Sequence, residues 1–143
     1  MRIGVRLSLR DTAEIFADAR AIEAAGADSV WVDAHDADPY VLLAALAAVT
    51  WRVRLVASGA PGGIGRETCD ALARGRLVVA EGSTEKWTHA SFPESKRAWR
   101  EQRAAAAAAG LTGITIPNDP RLIDLLRNPD IEDDRSDLDV AVG

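Results

Sequence analysis

The sequence predicts an α/β fold of about five parallel strands with helices on the outer face. The main observation is an alternation: a strand-like segment followed by a helix-like segment occurs three times within the first 80 residues, and a further strand-like segment closes the series. Such alternation is typical of parallel strands joined by right-handed crossovers. The second observation is length, because 143 residues are too few for a closed barrel of eight strand–helix units, which needs at least about 200.

Composition limits the class of protein. Hydrophobic residues make up 48% and charged residues 27% of the chain, as in a single globular domain with its own core. The net charge is −5, so no nucleic-acid partner is expected. The longest apolar run, 41–49, is too short to cross a bilayer, and the N-terminal residues resemble a strand rather than a signal peptide. With Cys69 as its only cysteine, the chain is expected in the reducing cytoplasm.

The first strand–helix unit has clear boundaries. Residues 2–7 are predicted to form a strand, and Asp11, with Glu14 three residues later, has the pattern of a capping box at the start of a helix. Gly26 is expected to end that helix in the left-handed conformation. A second strand is predicted at 28–33.

The second helix is predicted over about 39–50, because Asp38 is a good N-cap and Pro39 suits the first helical position. A third strand follows at 52–57. The next predicted elements are a glycine-rich turn, a short helix and a fourth strand, at 58–65, about 66–73 and 76–80.

After the fourth strand the pattern loosens. Residues 82–91 are predicted to be a loop that carries Trp87 and His89. The run 91–94 has the pattern of a capping box and is expected to open a helix that continues through the alanines to Gly110. The last predicted elements are a fifth strand and a short helix, at 112–116 and 121–126.

These elements predict that the chain divides into a domain and a tail. Residues 1–128 are predicted to form a β/α domain, and residues 129–143 an acidic tail in which 138–142 could add a short edge strand.

A family resemblance is carried mainly by residues 21–59. The segment 21–32, AIEAAGADSVWV, resembles the first helix and second strand of the luciferase-like family of flavin- and deazaflavin (F420)-dependent oxidoreductases, and 38–50, DPYVLLAALAAVT, is similar to its second helix. The segments 52–59 and 75–82 resemble its third strand with the following turn, and its fourth strand. The resemblance lies in the order of these segments over roughly the first 85 residues rather than in any single motif.

The resemblance implies a shortened luciferase-like domain with the architecture of a partial (half) TIM-type β/α barrel. It also implies an oxidoreductase that acts on a small organic substrate with a reduced flavin or deazaflavin cofactor, FMN or F420. The later strands, which help to hold the cofactor phosphate in this family, are expected to be missing. A homodimer, or a pairing with a related chain, is expected to cover the strand edges that remain exposed.

Ligands of parallel β/α folds bind beyond the carboxyl ends of the strands, so several loops are expected to form one site. His35 is the candidate catalytic residue: it stands where the family often has a histidine just past the second strand, and an imidazole can donate a proton near neutral pH. Glycine amides ahead of a helix start can approach an anion. The candidate cofactor-binding residues follow the third and fourth strands: Ser58, Gly59, Gly62, Gly63, Gly65, Gly82 and Ser83.

These residues also have structural explanations. His35 could be a surface histidine among the acids Asp33, Asp36 and Asp38, and the glycines could serve a flexible crossover. Asp33 and Asp36 are close enough to suggest paired carboxylates for a metal or for acid/base chemistry, but with two histidines and no dense acidic cluster no metal site is expected. The second hypothesis for function is a non-catalytic half-barrel, a binding or assembly subunit that pairs with itself or with a full-length homologue.

Overall fold

The computed structural model describes residues 1–8, 10, 14–35, 38–60 and 62–131. Its strands form one sheet, and its helices follow the strands along the chain. The strands are β1 (Arg2–Leu7), β2 (Ser29–Asp33), β3 (Arg54–Ser58), β4 (Leu77–Val79), β5 (Trp87–His89) and β6 (Gly113–Pro117). The helices are α1 (Ile15–Ala24), α2 (Pro39–Ala47), α3 (Arg66–Ala73), α4 (Lys96–Ala108) and α5 (Leu122–Arg127).

The sheet is a parallel half-barrel with the strand order β4-β3-β2-β1-β6-β5. Every neighbouring pair of strands is parallel. β1 lies in the middle, where Arg6 is in register with Trp31 of β2 on one side and with Pro117 of β6 on the other. The predicted α/β half-barrel is confirmed, with six strands rather than about five.

The opening of the half-barrel lies between β4 and β5. In a closed barrel of this type the last strand pairs with the first, and here β6 pairs with β1. β4 and β5 are the two edges of the sheet, and only residues 80–86 connect them, as a 3₁₀ turn and a loop without an α-helix. The expectation that the later strands are missing is therefore wrong. Relative to a closed barrel, strands are lacking between the fourth and the fifth.

β5 is the strand that the sequence did not predict. Residues 87–89 were expected in a loop, but Trp87, Thr88 and His89 pair in parallel with Gly113, Ile114 and Thr115 of β6. Three residues are too short a stretch for alternation to stand out from a loop. The strand exists because it completes the ladder along the free side of β6.

Two predicted helix boundaries are confirmed in atomic detail. The Asp38 carboxylate accepts a hydrogen bond from the amide of Tyr40 at 2.9 Å, with Pro39 in the first helical position of α2. Gly26, just after α1, has a φ of +92°, which is the left-handed conformation that glycine adopts without a steric cost.

The predicted starts of α4 and α1 need correction. α4 begins at Lys96 rather than within 91–94, and the Ser95 hydroxyl accepts a hydrogen bond from the amide of Ala98 at 3.1 Å. The segment 91–94 stays a loop because Phe92 packs against the core, with the guanidinium of Arg121 4.7 Å above its ring. α1 begins at Ile15, and the residue before it, Glu14, makes no capping hydrogen bond with its side chain.

Alternate residues of each strand face opposite sides of the sheet. The outer side packs on the helices and contains the main core, in which the strand residues Val5, Val30, Leu55 and Ile114 are at most 1% exposed. The helices contribute large buried side chains to it: Ile22, Tyr40, Leu43, Leu46, Trp99 and Leu122.

The inner side of the half-barrel is filled by two tryptophans. Trp31 and Trp87 meet edge to face, with ring centroids 5.1 Å apart. Each lies over a glycine of a neighbouring strand: a Cβ atom on Gly4 would come within 2.5 Å of Trp31, and one on Gly113 within 2.3 Å of Trp87. The glycines therefore make room for rings that occupy much of what would be the barrel interior.

Several sequence-based predictions fall outside the described residues. They concern the cap Asp11, the acid Asp36, the turn residue Pro61 and the tail beyond residue 131, including the edge strand at 138–142. The division into a domain at 1–128 and a tail at 129–143 stays a prediction.

Candidate functional site

The carboxyl ends of the parallel strands converge on one rim of the half-barrel, as in other parallel β/α folds. This rim holds most of the residues predicted to bind a ligand. We divide it into the outlets of β2–β4, which carry His35 and the glycine-rich turn, and the outlets of β1, β5 and β6.

Asp33 organises the outlets of β2 and β3. Its carboxylate lies 2.7 Å from Nδ1 of His35 and 3.4 Å from the hydroxyl of Ser58, which donates to it. The amide of Gly59 donates to the carboxylate of Glu81 from the next outlet. The structure thus brings His35, Ser58 and Gly59 together, as the sequence predicted, and it places them around carboxylates.

His35 itself is a solvated side chain. Its imidazole is 88% exposed, and the contact with Asp33 orients the ring. Gly59 must be a glycine at this place, since its φ is +77° and a Cβ atom would lie 3.3 Å from Asp33. Because Nδ1 of His35 is in contact with Asp33, a ligand can interact with the ring through Nε2.

The glycine-rich turn packs on the start of α2. The hydroxyl of Tyr40 donates to the carbonyl of Ala60 at 2.5 Å. A Cβ atom on Gly63 or on Gly65 would lie 3.3 Å from Tyr40, so these two glycines have a packing role, whereas a Cβ on Gly62 would meet nothing within 4 Å. The role of the three glycines in binding an anion stays a prediction, and Gly62 is the one whose surroundings are open.

Gly82 and Ser83 lie in the segment that connects β4 to β5. The Ser83 hydroxyl accepts a hydrogen bond from the amide of Glu85 at 3.2 Å. Ser83 lines a recess of about 190 Å³ on the inner side of the sheet, and His35 does not. The predicted site residues are thus divided between the rim and this recess, whose walls are Trp31, Val56, Val78, Ala80, Ser83, Glu85, Trp87 and His89.

Two polar residues of the inner side, Arg6 and His89, were not predicted as site residues from the sequence. Nδ1 of His89 lies 2.6 Å from the hydroxyl of Thr115, and its ring meets Trp31 edge-on with centroids 5.6 Å apart. Burial and then the positive charge of Arg6 lower the pKa of His89, although Asp33 acts in the opposite direction. His89 is therefore a neutral imidazole at pH 7.

A signal for His89 was present in the sequence. Trp87-Thr88-His89 alternates an aromatic, a β-branched and a further ring residue, which are types that strands favour. Reading the run as a strand would have placed His89 at a carboxyl end, facing the same side as Trp87. No comparable signal singles out Arg6, because it lies inside a strand whose inner side only the tertiary structure defines.

The recess alone is too small to enclose a flavin ring system. Pockets that bury a ligand of that size usually have about 300–1,000 Å³, against about 190 Å³ here. The polar groups of the rim suit the edge of such a ring, but its faces would remain open toward the side where β4 and β5 are unpaired.

A parallel half-barrel with polar residues at the carboxyl ends of its strands places the protein in the class of parallel β/α proteins related to the TIM barrel. A family model described as luciferase-like monooxygenase matches residues 3–105, well over half of the chain. The chain therefore belongs to the luciferase-like monooxygenase family, a family of oxidoreductases. The match extends past the 85 residues that carried the resemblance and includes β5 and most of α4.

No curated protein is significantly similar to this chain. Within the described residues, no helix is both long and apolar enough to cross a membrane.

Proposed function

We propose that the protein is an oxidoreductase that binds a reduced flavin or deazaflavin, FMN or F420, at the β2–β4 part of the rim and acts on a small organic substrate. The observation that supports this most strongly is the convergence of His35 and Ser58 on Asp33, with Gly59 beside them on Glu81, in a chain of the luciferase-like family. The compartment we propose is the cytoplasm.

The ring of the cofactor would lie between His35 and the turn at Ser58-Gly59, with Gly82 and Ser83 on the far side. Its anionic part would approach the amides of the glycine-rich turn, of which Gly62 has the most open surroundings. The bound cofactor would supply the hydride or oxygen chemistry of the reaction. In this arrangement His35 exchanges a proton with the substrate, and Asp33 keeps its ring oriented.

The ring needs a cover on the open side of the half-barrel. We propose that a second copy of the chain, or a related chain, packs over the edge strands β4 and β5 and provides it. The recess of about 190 Å³ then forms part of a larger site. The second chain supplies the side of that site which one chain leaves open.

A second candidate is a non-catalytic half-barrel that serves as a binding or assembly subunit. It is supported by the inner side of the sheet, where Trp31 and Trp87 occupy the space over Gly4 and Gly113. If these rings only stabilise the reduced barrel, the chain keeps the scaffold of its family without the cofactor.

Titration of the purified protein with FMN and with F420, followed by absorbance and calorimetry, distinguishes the two functions. The oxidoreductase predicts a saturable spectral change with one of the two cofactors. His35→Ala is expected to reduce turnover more than affinity, whereas Gly62→Val should weaken binding by hindering the approach of the anion. If neither FMN nor F420 binds at millimolar concentration, the non-catalytic function is the better one.

A further inference from the structure

Arg6 is a cation on the inner side of the sheet, and the part of the chain that the structure describes offers it no matching anion. One of its terminal nitrogens donates to the carbonyl of Ala90 at 2.6 Å, which ties β1 to the end of β5. Its Nε–H is buried and has no acceptor among the described residues. Within the same part of the chain no carboxylate forms an ion pair with it.

The tie to Ala90 explains only part of this arrangement. A neutral donor would hold the same carbonyl, and a buried donor that stays unpaired destabilises the fold. By contrast, the other inner-side arginine near the opposite end of the sheet, Arg54, makes two hydrogen bonds to the carboxylate of Glu85, at 3.1 and 3.0 Å. Arg6 has the chemistry of an anion-binding group whose anion is not among the described residues.

The residues around Arg6 suit a carboxylate. His89 lies close enough for the charge of Arg6 to lower its pKa, and it keeps Nδ1 on Thr115. The other charged groups that face His89 are Asp33 on β2 and Glu85 at the recess. These carboxylates disfavour a doubly charged phosphate, whereas one guanidinium with free N–H groups matches a singly charged, planar carboxylate.

We infer that Arg6 and His89 form a binding site for the carboxylate group of a small organic acid at the outlets of β1, β5 and β6. Arg6 holds the carboxylate oxygens through the N–H groups of its guanidinium, and His89 lies beside them as a neutral imidazole. This site uses none of the residues proposed for the cofactor, so it does not depend on cofactor binding.

The test uses the protein without cofactor and sodium acetate as the probe, with ionic strength held constant by sodium chloride. Nuclear magnetic resonance follows the Nε–Hε signal of Arg6 and the ring protons of both histidines. Acetate should shift the Arg6 signal in a saturable way. Because a bound carboxylate offsets the charge of Arg6, the pKa of His89 should rise, while acetate should leave the ring-proton signals of the exposed His35 in place.

A pair of matched variants completes the design. Arg6→Gln should abolish the saturable response of His89 to acetate, and Arg52→Gln, which removes the same charge from the opposite end of the sheet, should keep it. Sodium phosphate in place of acetate should bind at least tenfold more weakly. Tight phosphate binding would overturn the assignment of a carboxylate. Equal shifts of His35 and His89, or no saturation in the parent protein, would show that salt alone acts and would overturn the site.

Discussion

Glu85 anchors the segment that crosses from β4 to β5. Its carboxylate accepts hydrogen bonds from Arg54, from Arg2 and from the indole of Trp87. The hydrogen bonds from Arg54, aided by that of Trp87 and by the charges of both arginines, lower the pKa of Glu85 to about 2. One acidic side chain thus holds three strands and the connecting segment together at the amino-terminal end of the sheet.

The first prediction concerns the pH dependence of this contact. A carboxyl group whose pKa is lower in the folded protein stabilises it above the unfolded pKa, and that contribution is lost as the pH falls through the folded pKa. For Glu85 the loss should occur between about pH 4.5 and pH 2. Glu85→Gln should lower the free energy of unfolding at pH 7 by about 1–2 kcal/mol, less than the full shift implies, because solvent partly screens the group.

Urea unfolding at several pH values measures this effect, and Glu101→Gln is the control. Glu101 pairs with Arg97 on the exposed side of α4, where both side chains are more than 60% exposed, so its loss should change the stability by less than about 0.5 kcal/mol. Equal effects of the two substitutions at pH 7 would mean that Glu85 does not anchor the segment.

At the level of single residues, the sequence correctly predicted residues whose role depends on residues next to them in the chain. Asp38 caps the helix that follows it, and Gly26 ends the helix before it. Arg6 and His89 could not be predicted in the same way. Their environment is made by residues far away in the chain, such as Ala90 for Arg6 and Thr115 for His89.

At the scale of the elements, the second prediction concerns the serine that caps the start of α4. The Ser95 hydroxyl caps the amide of Ala98, whereas Ser91 lies in the preceding loop. Ser95→Ala should lower the free energy of unfolding by about 1 kcal/mol, and Ser91→Ala should leave it nearly unchanged. Thermal unfolding of both variants decides the point, and a larger loss in Ser91→Ala would restore the start that the sequence predicted.

The contact of β6 with β5 depends on a glycine. A Cβ atom on Gly113 would lie 2.3 Å from the ring of Trp87, so Gly113→Ala must displace the indole or the strand. We expect a loss of about 1–3 kcal/mol in the free energy of unfolding, together with a changed tryptophan fluorescence in the native state.

Gly62→Ala is the matched control for this substitution. A Cβ atom at Gly62 has nothing within 4 Å, and its φ is not in the left-handed region, so the variant should unfold like the parent. A fluorescence spectrum of Gly113→Ala identical to that of the parent would contradict the packing of Trp87 on β6.

Element types were easier to predict than strand neighbours. The helices and the longer strands are long enough to show a hydrophobic pattern in the sequence. Both β1 and α3 were predicted with the bounds that the structure shows. The three residues of β5 have too little pattern. The pairing of β6 with β1 also depends on the whole chain, because no local signal states which strand lies beside the first.

At the scale of the whole molecule, the position of the opening between β4 and β5 shows which part of the barrel is reduced. The first and last of the described strands remain neighbours, so the middle of the barrel is reduced, and residues 80–86 bridge the gap. The edge strand β4 is only partly buried along all three of its residues. An open parallel edge of this kind needs a cover, since its unpaired backbone groups invite pairing with another chain.

The last prediction is that the protein is a dimer whose interface covers this opening. An obligate interface usually buries at least about 2,000 Å² and is rich in apolar side chains. Light scattering should therefore report a dimer at micromolar concentration. Val78→Lys, which places a charge on the inner side of the edge strand β4, should shift the protein to monomers.

Val41→Lys provides the comparison for Val78→Lys. Val41 is 66% exposed on α2, a helix of the outer layer, so the same change of residue there should leave the dimer intact. If instead Val41→Lys dissociates the dimer, the copies pair through their helices and the opening is covered in another way. A parent protein that stays monomeric at high micromolar concentration would exclude the homodimer and leave a related chain as the partner to be sought, because no other described strand pairs with the edges of β4 and β5.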